Sequence, residues 1–289
     1  MQTTSTETRK QKTLARAVEY SGVGIHTGQE VKIRFVPQEA GRGLFFKRTD
    51  LPSQPIIPAT IEYVFDTPRS TNLALNDVRI ITVEHVLAAL RAYEIDNLCI
   101  ELSSLEPPGG NGSSDVFVEM LEQATVEELQ AFVPIVKLKN PVYHSEGDVH
   151  IVAIPSDEYR LSYTLHYPQS KALGSQFYSI ALTQEGFKQE IAPCRTFVLY
   201  EEISNLIDRG LIKGGSLDNA VVIKEDAAIS KNGLFFPNEM CRHKVLDMIG
   251  DLSLIGIQFT AHIMGIRSGH PANFRFAQKL FHQLSLENR

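Results

Sequence analysis

Polar and apolar residues alternate along several short segments of the chain, a pattern typical of β-strands with one buried face. In the first half, Val31, Ile33 and Phe35 follow this period of two. A glycine-rich turn precedes them, and two further strands are predicted in GRGLFFKRTD (41–50) and DNLCIEL (96–102). The first half of the chain therefore predicts a sheet of short strands.

The apolar period lengthens after Thr82, where a helix is predicted to begin with that threonine as its N-cap. A second helix is predicted for VFVEMLEQA (116–124), with Ser113 or Ser114 as its N-cap. Both helices can cover one face of the predicted sheet. The apolar positions of the first helix recur at helical spacing: Val83, Val86, Leu87, Leu90 and Tyr93.

The second half repeats this order of elements, because strands, a helix, a strand and a final helix follow one another again. This order predicts an α+β fold of two domains of similar plan, each packing helices on a sheet. Helices are predicted from about Leu199, over 240–256 and over 272–285. Strands are predicted over 150–155, 160–168, 176–183, 219–225 and 257–267.

The pattern restarts near residue 130, and we place a domain boundary there. The predicted division is a disordered N-terminal tail (1–12), an N-terminal α+β domain (13–130) and a C-terminal α+β domain (131–289).

The composition is that of a globular protein with a sizeable core, because 43% of the 289 residues are hydrophobic and 21% are charged. The formal net charge of −6 argues against a nucleic-acid partner, which would require a basic surface. No run of about 18 apolar residues occurs, so no integral membrane segment is expected. Three widely spaced cysteines and a polar N-terminus favour a cytoplasmic protein. No exposed apolar helix face stands out, and a monomer is expected.

The spacing of His243 and Asp247 is the first candidate for chemistry. The two residues lie four apart on a predicted helix, so they share one face and can reach one cation. A catalytic zinc takes three protein ligands and leaves one position open. Taken alone, however, this pair is more often a surface ion pair than a metal site.

Three other polar residues each have a functional and an ordinary interpretation. Glu84 lies in the first turn of a predicted helix, where it is either a general base or a carboxylate favoured by the helix dipole. His270, in the rigid segment RSGHP, is either a general acid or oxyanion stabiliser, or a simple loop histidine. Asp251 follows His243 by eight residues and either orients a histidine or is solvated. For Glu84 or His270 alone, the ordinary interpretation is the better one.

Taken together, these motifs are similar to those of the UDP-3-O-acyl-N-acetylglucosamine deacetylases, zinc enzymes of lipid A biosynthesis. The resemblance covers about residues 13–280 in the family's order. It implies two layered α/β-sandwich domains of similar βααβ plan with the active site between them. The matching stretches are GVGIHTG (22–28), FKRTD (46–50), VRIITVEHVLAAL (78–90), DNLCIEL (96–102), RTF (195–197), RGLIKGGSLDNAVVI (209–223), RHKVLDMIGDL (242–252) and SGH (268–270).

The resemblance assigns a role to each residue of the proposed catalytic centre. It implies that zinc is bound by His85, His243 and Asp247. The implied roles of the others are general base for Glu84, general acid for His270, orientation of that acid for Asp251, oxyanion stabilisation for Thr196, and contact with a substrate phosphate or oxyanion for Lys244.

The resemblance also implies an acyl-UDP-amino-sugar as substrate. Its acyl chain would occupy an apolar passage built on an insert at about 195–224, where Leu206 and Leu211 are suitable lining. Phe197 would contact the sugar. In the nucleotide region, Tyr167 would stack on uracil and Arg267 would lie near the phosphates.

The chain departs from the family pattern at a turn, and alternatives to the implied metal and to the implied activity stay open. The family's usual D-G-S is Asn111-Gly112-Ser113 here, which keeps the ability to form a turn but loses a charge. The ligand set suits Zn²⁺ and also Fe²⁺. The alternatives to the deacetylase are a hydrolase of a different acylated amino sugar and a non-catalytic binding protein whose fold is stabilised by its metal.

Overall fold

A computed structural model of the chain describes residues 7–287, and their mixture of helices and strands confirms the predicted α+β class. The helices are α1 (Glu84–Ala92), α2 (Asp115–Ala124), α3 (Gln184–Gly186), α4 (Tyr200–Asp208), α5 (Glu239–Ser253) and α6 (His270–Glu287), with a 3-10 turn at Ile61–Tyr63 and a π-helical turn at Phe187–Ile191. The strands are β1 (Glu7–Leu14), β2 (Val18–Val23), β3 (Glu30–Pro37), β4 (Leu44–Arg48), β5 (Ile56–Pro58), β6 (Val64–Asp66), β7 (Asn72–Leu75), β8 (Val78–Ile80), β9 (Leu98–Leu102), β10 (Val126–Lys137), β11 (Val142–Glu146), β12 (Val149–Ile154), β13 (Tyr159–Tyr167), β14 (Gly174–Ala181), β15 (Phe197–Leu199), β16 (Val221–Lys224), β17 (Ala227–Ile229) and β18 (Gln258–Ile266).

The first half of the chain forms a five-stranded mixed sheet in the order β2-β3-β9-β4-β5. The central strand, β9, is antiparallel to β3 and parallel to β4. The predicted alternation of β3 is confirmed, since Val31, Ile33 and Phe35 are buried and the residues between them are exposed. β6, β7 and β8 form a separate antiparallel sheet beside it.

Six strands of the second half, joined by β1 at one edge, form a seven-stranded sheet that is organised around β18. This strand is parallel to β10 and β13 and antiparallel to β12. The strand alternates fully, with Phe259, Ala261 and Ile263 buried. α5 packs against β13 and β14, while α6 packs against β11 and β12. β15, β16 and α4 lie in the segment predicted to be the passage insert, and β17, just after that segment, completes a small three-stranded sheet with β15 and β16.

The two halves meet where α1 lies against α5. Every residue of α1 from Glu84 to Leu90 is buried, although Glu84 and His85 are polar. In α5, the buried residues likewise include His243, Asp247 and Asp251. This buried helix pair carries most of the polar residues that the sequence singled out.

Residues 7–12 correct the prediction of a disordered tail, because they belong to β1. β1 pairs antiparallel with β10, and Arg9 donates two hydrogen bonds to the Asp96 carboxylate at 2.7 and 2.9 Å. The strand is polar and is ordered by backbone pairing and this ion pair, so hydrophobic periodicity does not detect it. Residues 1–6 of the predicted tail lie outside the described residues. The boundary predicted near residue 130 falls inside β10, and the two-domain division stays a prediction.

Two local predictions are wrong at the starts of helices. Thr82 is not the N-cap of α1, because Val83 precedes the helix and Thr82 has a φ of +58°. The Thr82 hydroxyl donates instead to Glu106 at 3.1 Å. His270 is the first residue of α6 and not a loop residue. Within residues 7–287, no helix is long and apolar enough to cross a membrane.

Candidate active site

The first turn of α1 crosses α5 at Gly250, in the last turn of that helix. A Cβ atom added to Gly250 would lie 2.1 Å from the carbonyl oxygen of Glu84 and 2.9 Å from its Cα atom. Because a side chain does not fit here, the glycine allows the two backbones to approach closely. The crossing brings Glu84 and His85 beside the α5 residues His243 and Asp247.

His85, His243 and Asp247 form a buried cluster at this crossing. One ligand atom from each residue lies within 4.8 Å of the other two. Oδ1 of Asp247 is 3.3 Å from Nε2 of His243 and 3.7 Å from Nε2 of His85. The same Oδ1 is buried and has no hydrogen-bond partner among the described residues. Two imidazoles and an unpaired carboxylate oxygen at these separations fit a divalent cation.

The surroundings of the cluster favour the protonation states that metal ligands need. Nδ1 of His243 donates to the carbonyl oxygen of Cys194 at 2.9 Å, so Nε2 is left to face Asp247. Burial lowers the pKa of His243 to about 4. Burial would raise the pKa of Asp247, but His243 and Lys244 hold that pKa well below its ordinary value. At neutral pH the imidazole is therefore neutral and the carboxylate ionised.

Glu84 lies next to the cluster and is 2% exposed. Its Oε2 accepts a hydrogen bond from the backbone N–H of Thr71 at 2.9 Å. Its Oε1 lies 3.9 Å from Nε2 of His270. Burial raises the pKa of Glu84, which makes the ionised carboxylate a stronger proton acceptor than an exposed one.

His270 faces Glu84 from the start of α6. Its Nδ1 lies 2.9 Å from Oδ2 of Asp251, and its Nε2 lies 3.9 Å from Oδ2 of Asp247. Burial would lower the pKa of His270, but Asp251 and Glu84 raise it to about 9. The ring is thus protonated at neutral pH, and its Nε2–H faces the cluster. The resemblance implied that Asp251 orients this histidine; the short Asp251–His270 contact is compatible with that role, which stays a prediction.

Lys244 also reaches the cluster, since its Nζ donates to Oδ2 of Asp247 at 2.7 Å. The ammonium lies 5.7 Å from the centre of the Phe197 ring. An ammonium group has three N–H donors, so two are left for a ligand. The predicted contact of Lys244 with a substrate anion is compatible with this geometry and stays a prediction.

These polar groups lie at one side of a cavity of about 620 Å³. Thr196 lines the cavity and is fixed through its backbone, because its N–H donates to Gly112 at 2.8 Å and its carbonyl accepts from Val221 at 2.9 Å. A cavity lined by both polar and apolar side chains suits an amphipathic ligand. Much of the apolar lining comes from the predicted insert: Phe197, Val198, Ile203, Leu206, Ile207, Ile212, Leu217 and Val222.

Three of the four residues predicted for the nucleotide and acyl contacts line this cavity, namely Tyr167, Arg267 and Leu206. Tyr167 meets the Phe197 ring edge to face, with centroids 6.3 Å apart. Leu211 is not among the lining residues, because it belongs to the turn that ends α4, where its N–H donates to the Leu206 carbonyl at 2.9 Å. The next residue along the chain, Ile212, lines the cavity instead.

Glu106 is a residue of the site region that sequence reasoning missed. Its carboxylate accepts hydrogen bonds from the backbone N–H groups of His26 and Thr27 at 3.0 and 2.9 Å. It thereby holds the GIHTG loop in place, and His26 of this loop lines the cavity. These contacts join residues about 80 positions apart, and no local pattern indicates them.

A buried ion pair behind Thr196 was also missed. Arg195 and Glu239 are 2% and 0% exposed, with Nε of Arg195 2.8 Å from Oε1 of Glu239. The same carboxylate accepts from the N–H of Arg195 at 3.0 Å and from the N–H of Phe235 at 2.8 Å. The pair therefore anchors the residue before Thr196 to the start of α5.

The departure at Asn111 preserves the local turn. Oδ1 of Asn111 accepts from the Ser113 hydroxyl at 2.6 Å, and its Nδ2 donates to Asp115 at 3.1 Å. Ser114 follows as the residue before α2, and its hydroxyl donates to the His85 carbonyl at 2.8 Å. The turn therefore supports the backbone of a predicted metal ligand without an aspartate.

A buried cluster of two histidines and a carboxylate, with a glutamate and a histidine beside it in a cavity, is the arrangement of a metal-dependent hydrolase. Comparison with known proteins agrees. The family model "LpxC: UDP-3-O-acyl N-acetylglycosamine deacetylase" matches residues 11–282. The chain belongs to this family.

Chlamydial proteins named UDP-3-O-acyl-N-acetylglucosamine deacetylase are similar to the chain over almost its whole length. The Chlamydia pneumoniae protein is 48% identical over 279 residues, which cover 96% of this chain and 99% of that protein. The protein of Chlamydia felis (strain Fe/C-56) is 49% identical over 276 residues, covering 96% and 98%. The Chlamydia trachomatis serovar L2 protein is 44% identical, covering 96% and 97%.

Proposed function

We propose that this protein hydrolyses the N-acetyl group of UDP-3-O-acyl-N-acetylglucosamine, which yields acetate and UDP-3-O-acyl-glucosamine for lipid A biosynthesis. One observation carries the proposal. Three side chains that could hold a cation, and the Glu84 and His270 side chains 3.9 Å apart, lie in one cavity that is also lined by many apolar residues. The near full-length similarity to proteins named for this activity supports it.

The residues that would hold the metal are His85, His243 and Asp247, and Zn²⁺ is the ion we propose. The same donors suit Fe²⁺. A cation bound there supplies Lewis acidity, which favours ionisation of water and polarises the acetyl carbonyl.

Glu84 is the proposed general base. The N–H of Thr71 occupies its Oε2, and this leaves Oε1 to face the cluster and accept a proton from the attacking water. Its burial lowers the cost of accepting that proton, because the neutral carboxylic acid is the form that a dry site favours.

His270 is the proposed general acid. Asp251 holds Nδ1, so the proton on Nε2 faces Glu84 and the cluster. When the tetrahedral intermediate collapses, Nε2 donates this proton to the leaving amine. An amine leaves poorly unless it is protonated, and a pKa of about 9 keeps the proton available at neutral pH.

The remaining cavity residues would bind the substrate. We propose that the Thr196 hydroxyl donates to the developing oxyanion and that Lys244 balances its charge. Phe197 would contact the sugar, while Tyr167 and Arg267 would contact the nucleotide. Leu206 would line the pocket for the acyl chain. The three cysteines are free and buried, which supports action in a reducing compartment such as the cytoplasm.

The test is acetate release by the purified protein from UDP-3-O-acyl-N-acetylglucosamine. Chelation should abolish release, and Zn²⁺ or Fe²⁺ should restore it. Glu84→Ala should lower kcat by about 10²- to 10⁴-fold, the usual contribution of a general base, while metal content stays at the level of the unsubstituted protein. Glu122→Ala, at a half-exposed position that pairs with Lys188, is the matched control and should keep full activity.

The outcomes separate the proposed activity from its alternatives. Undiminished turnover by Glu84→Ala would contradict the proposed base. Metal binding without acetate release from any member of a substrate panel would support the non-catalytic binding protein. Faster turnover of a different acylated amino sugar in the same panel would support the related hydrolase.

A further inference from the structure

Thr71 lies between the proposed general base and the proposed general acid. It directly precedes β7, on the loop that leads into the small antiparallel sheet, and it is 2% exposed. It contacts α1, α5 and α6, the three helices that carry the catalytic groups. No motif in the sequence points to it.

The backbone of Thr71 holds the base. Its N–H donates to Oε2 of Glu84 at 2.9 Å, and its carbonyl accepts from the N–H of Val83 at 3.1 Å. These two bonds bracket the start of α1. They fix which carboxylate oxygen of Glu84 faces His270.

The hydroxyl of Thr71 holds the partner of the acid. Oγ1 donates to Oδ1 of Asp251 at 2.5 Å and lies 3.3 Å from Nδ1 of His270. Nδ1 of His270 and Nδ2 of Asn273 donate to the other oxygen, Oδ2, at 2.9 and 2.8 Å. An ionised carboxylate only accepts, so the single hydroxyl proton goes to Asp251. Each oxygen of Asp251 thereby has a short donor, and its orientation is fixed.

The loop around Thr71 is anchored without this hydroxyl. Oδ1 of Asn72 accepts from the Ser70 hydroxyl at 2.9 Å and from the N–H of Thr82 at 3.2 Å. Removal of the Thr71 hydroxyl therefore leaves the loop in place and leaves the N–H bond to Glu84 intact. What changes is Asp251, whose Oδ1 keeps only a contact of 3.2 Å with His270.

We infer that Thr71 is a positioning residue that sets the base and the acid in one geometry, through its N–H on Glu84 and its hydroxyl on Asp251. The inference rests on the proposed function for the roles of Glu84 and His270. What the inference adds is that one residue, Thr71, supports both Glu84 and His270. Loss of the hydroxyl would let Asp251 turn and would release the His270 ring from its orientation toward the amine.

The test compares Thr71→Val, which has a similar shape but no hydroxyl, with Thr71→Ser, which keeps the hydroxyl. Thr71→Val should lower kcat by about 10- to 100-fold, the usual cost of removing a partner that orients a catalytic group. KM should stay within about twofold, because substrate contacts are unchanged. Thr71→Ser should retain most of the rate.

Thr13→Val is the matched control for the loss of a buried hydroxyl. Thr13, in β1, is 3% exposed, and its hydroxyl donates to the Asn97 carbonyl at 2.7 Å. This contact involves none of the proposed catalytic groups. This variant should lower the melting temperature as Thr71→Val does but leave kcat unchanged. In an Asp251→Asn background, Thr71→Val should cost much less than it does alone, because the two residues act through one hydrogen bond.

Three results would overturn the inference: kcat of Thr71→Val within about twofold of the unsubstituted protein, an equal loss in Thr71→Ser, or full additivity with Asp251→Asn. The unsubstituted protein's own rate tests the proposed function separately. If that rate is zero, crystal structures of both Thr71 variants test the positioning role instead. Displacement of the His270 ring from Asp251 in the valine variant alone supports the positioning role, and an unchanged ring contradicts it.

Discussion

Replacement of Gly250 by alanine should separate stability from activity in this protein. Gly250 is on α5, where the added Cβ would lie 2.1 Å from the Glu84 carbonyl oxygen. Ordinary van der Waals contact for such an atom begins at 3.4 Å, so the backbones must separate by the difference, about 1.3 Å. The displaced segment carries Glu84 and His85.

The expected magnitudes differ for the two properties. Overpacking costs about 1–3 kcal/mol of unfolding free energy. Alanine in a helix returns about 1 kcal/mol relative to glycine, so the net loss is about 0–2 kcal/mol and the variant folds. A misplacement of about 1 Å at catalytic groups costs on the order of 10²-fold in rate. We therefore expect kcat/KM to fall about 100-fold in a protein that remains folded.

The assay is acetate release, with metal content and denaturant unfolding measured on the same preparations. Ser253→Ala is the control in the same helix, since its hydroxyl only donates to the Gly250 carbonyl at 2.7 Å. This control should keep its rate and its metal. A Gly250→Ala protein whose kcat/KM stays within about threefold of the unsubstituted protein would refute the argument that this crossing sets the site.

Two further predictions concern protonation and the ion pair behind Thr196. The kcat/KM profile should be bell-shaped: the rate falls as pH rises through about 9, where His270 loses the proton it must donate, and it falls at acid pH as Glu84, whose pKa is raised by burial, becomes protonated. His270→Gln should lower the rate and remove the alkaline limb, and an unchanged limb would show that another group is the acid. Glu239→Gln should lower the unfolding free energy by about 3–5 kcal/mol, because it leaves the Arg195 guanidinium buried without its counter-charge. Glu122→Gln, which breaks a half-exposed pair with Lys188, should cost at most about 1 kcal/mol in the same denaturation experiment, and equal losses in the two variants would contradict the role of burial.

The sequence by itself determined the features that depend on neighbouring residues. The period of two in β3 and β18 identified strands and their buried faces. Helical spacing placed His243 and Asp247 on one face of α5, and their Nε2 and Oδ1 atoms are indeed 3.3 Å apart. Joined in one order, the motifs also identified the family. Such patterns can be recognised in the sequence because they depend on residues that lie only a few positions apart along the chain.

The tertiary structure decided which distant residues meet. His85 joins the α5 pair only because a glycine lets α1 cross α5 closely. Thr71 reaches Asp251 across 180 positions, and no spacing in the sequence could indicate this. Leu211 was predicted as lining, but the turn after α4 places its neighbour Ile212 at the cavity instead.

The same reason explains the elements that were missed or misplaced. β1 lacks a hydrophobic period, because pairing with β10 and the Arg9–Asp96 ion pair order it. Threonine is a common N-cap residue, but the hydroxyl of Thr82 donates to Glu106 instead of to the helix. Periodicity records which side chains are buried, whereas hydrogen bonds between distant segments decide where backbones turn, and these exist only in the folded chain.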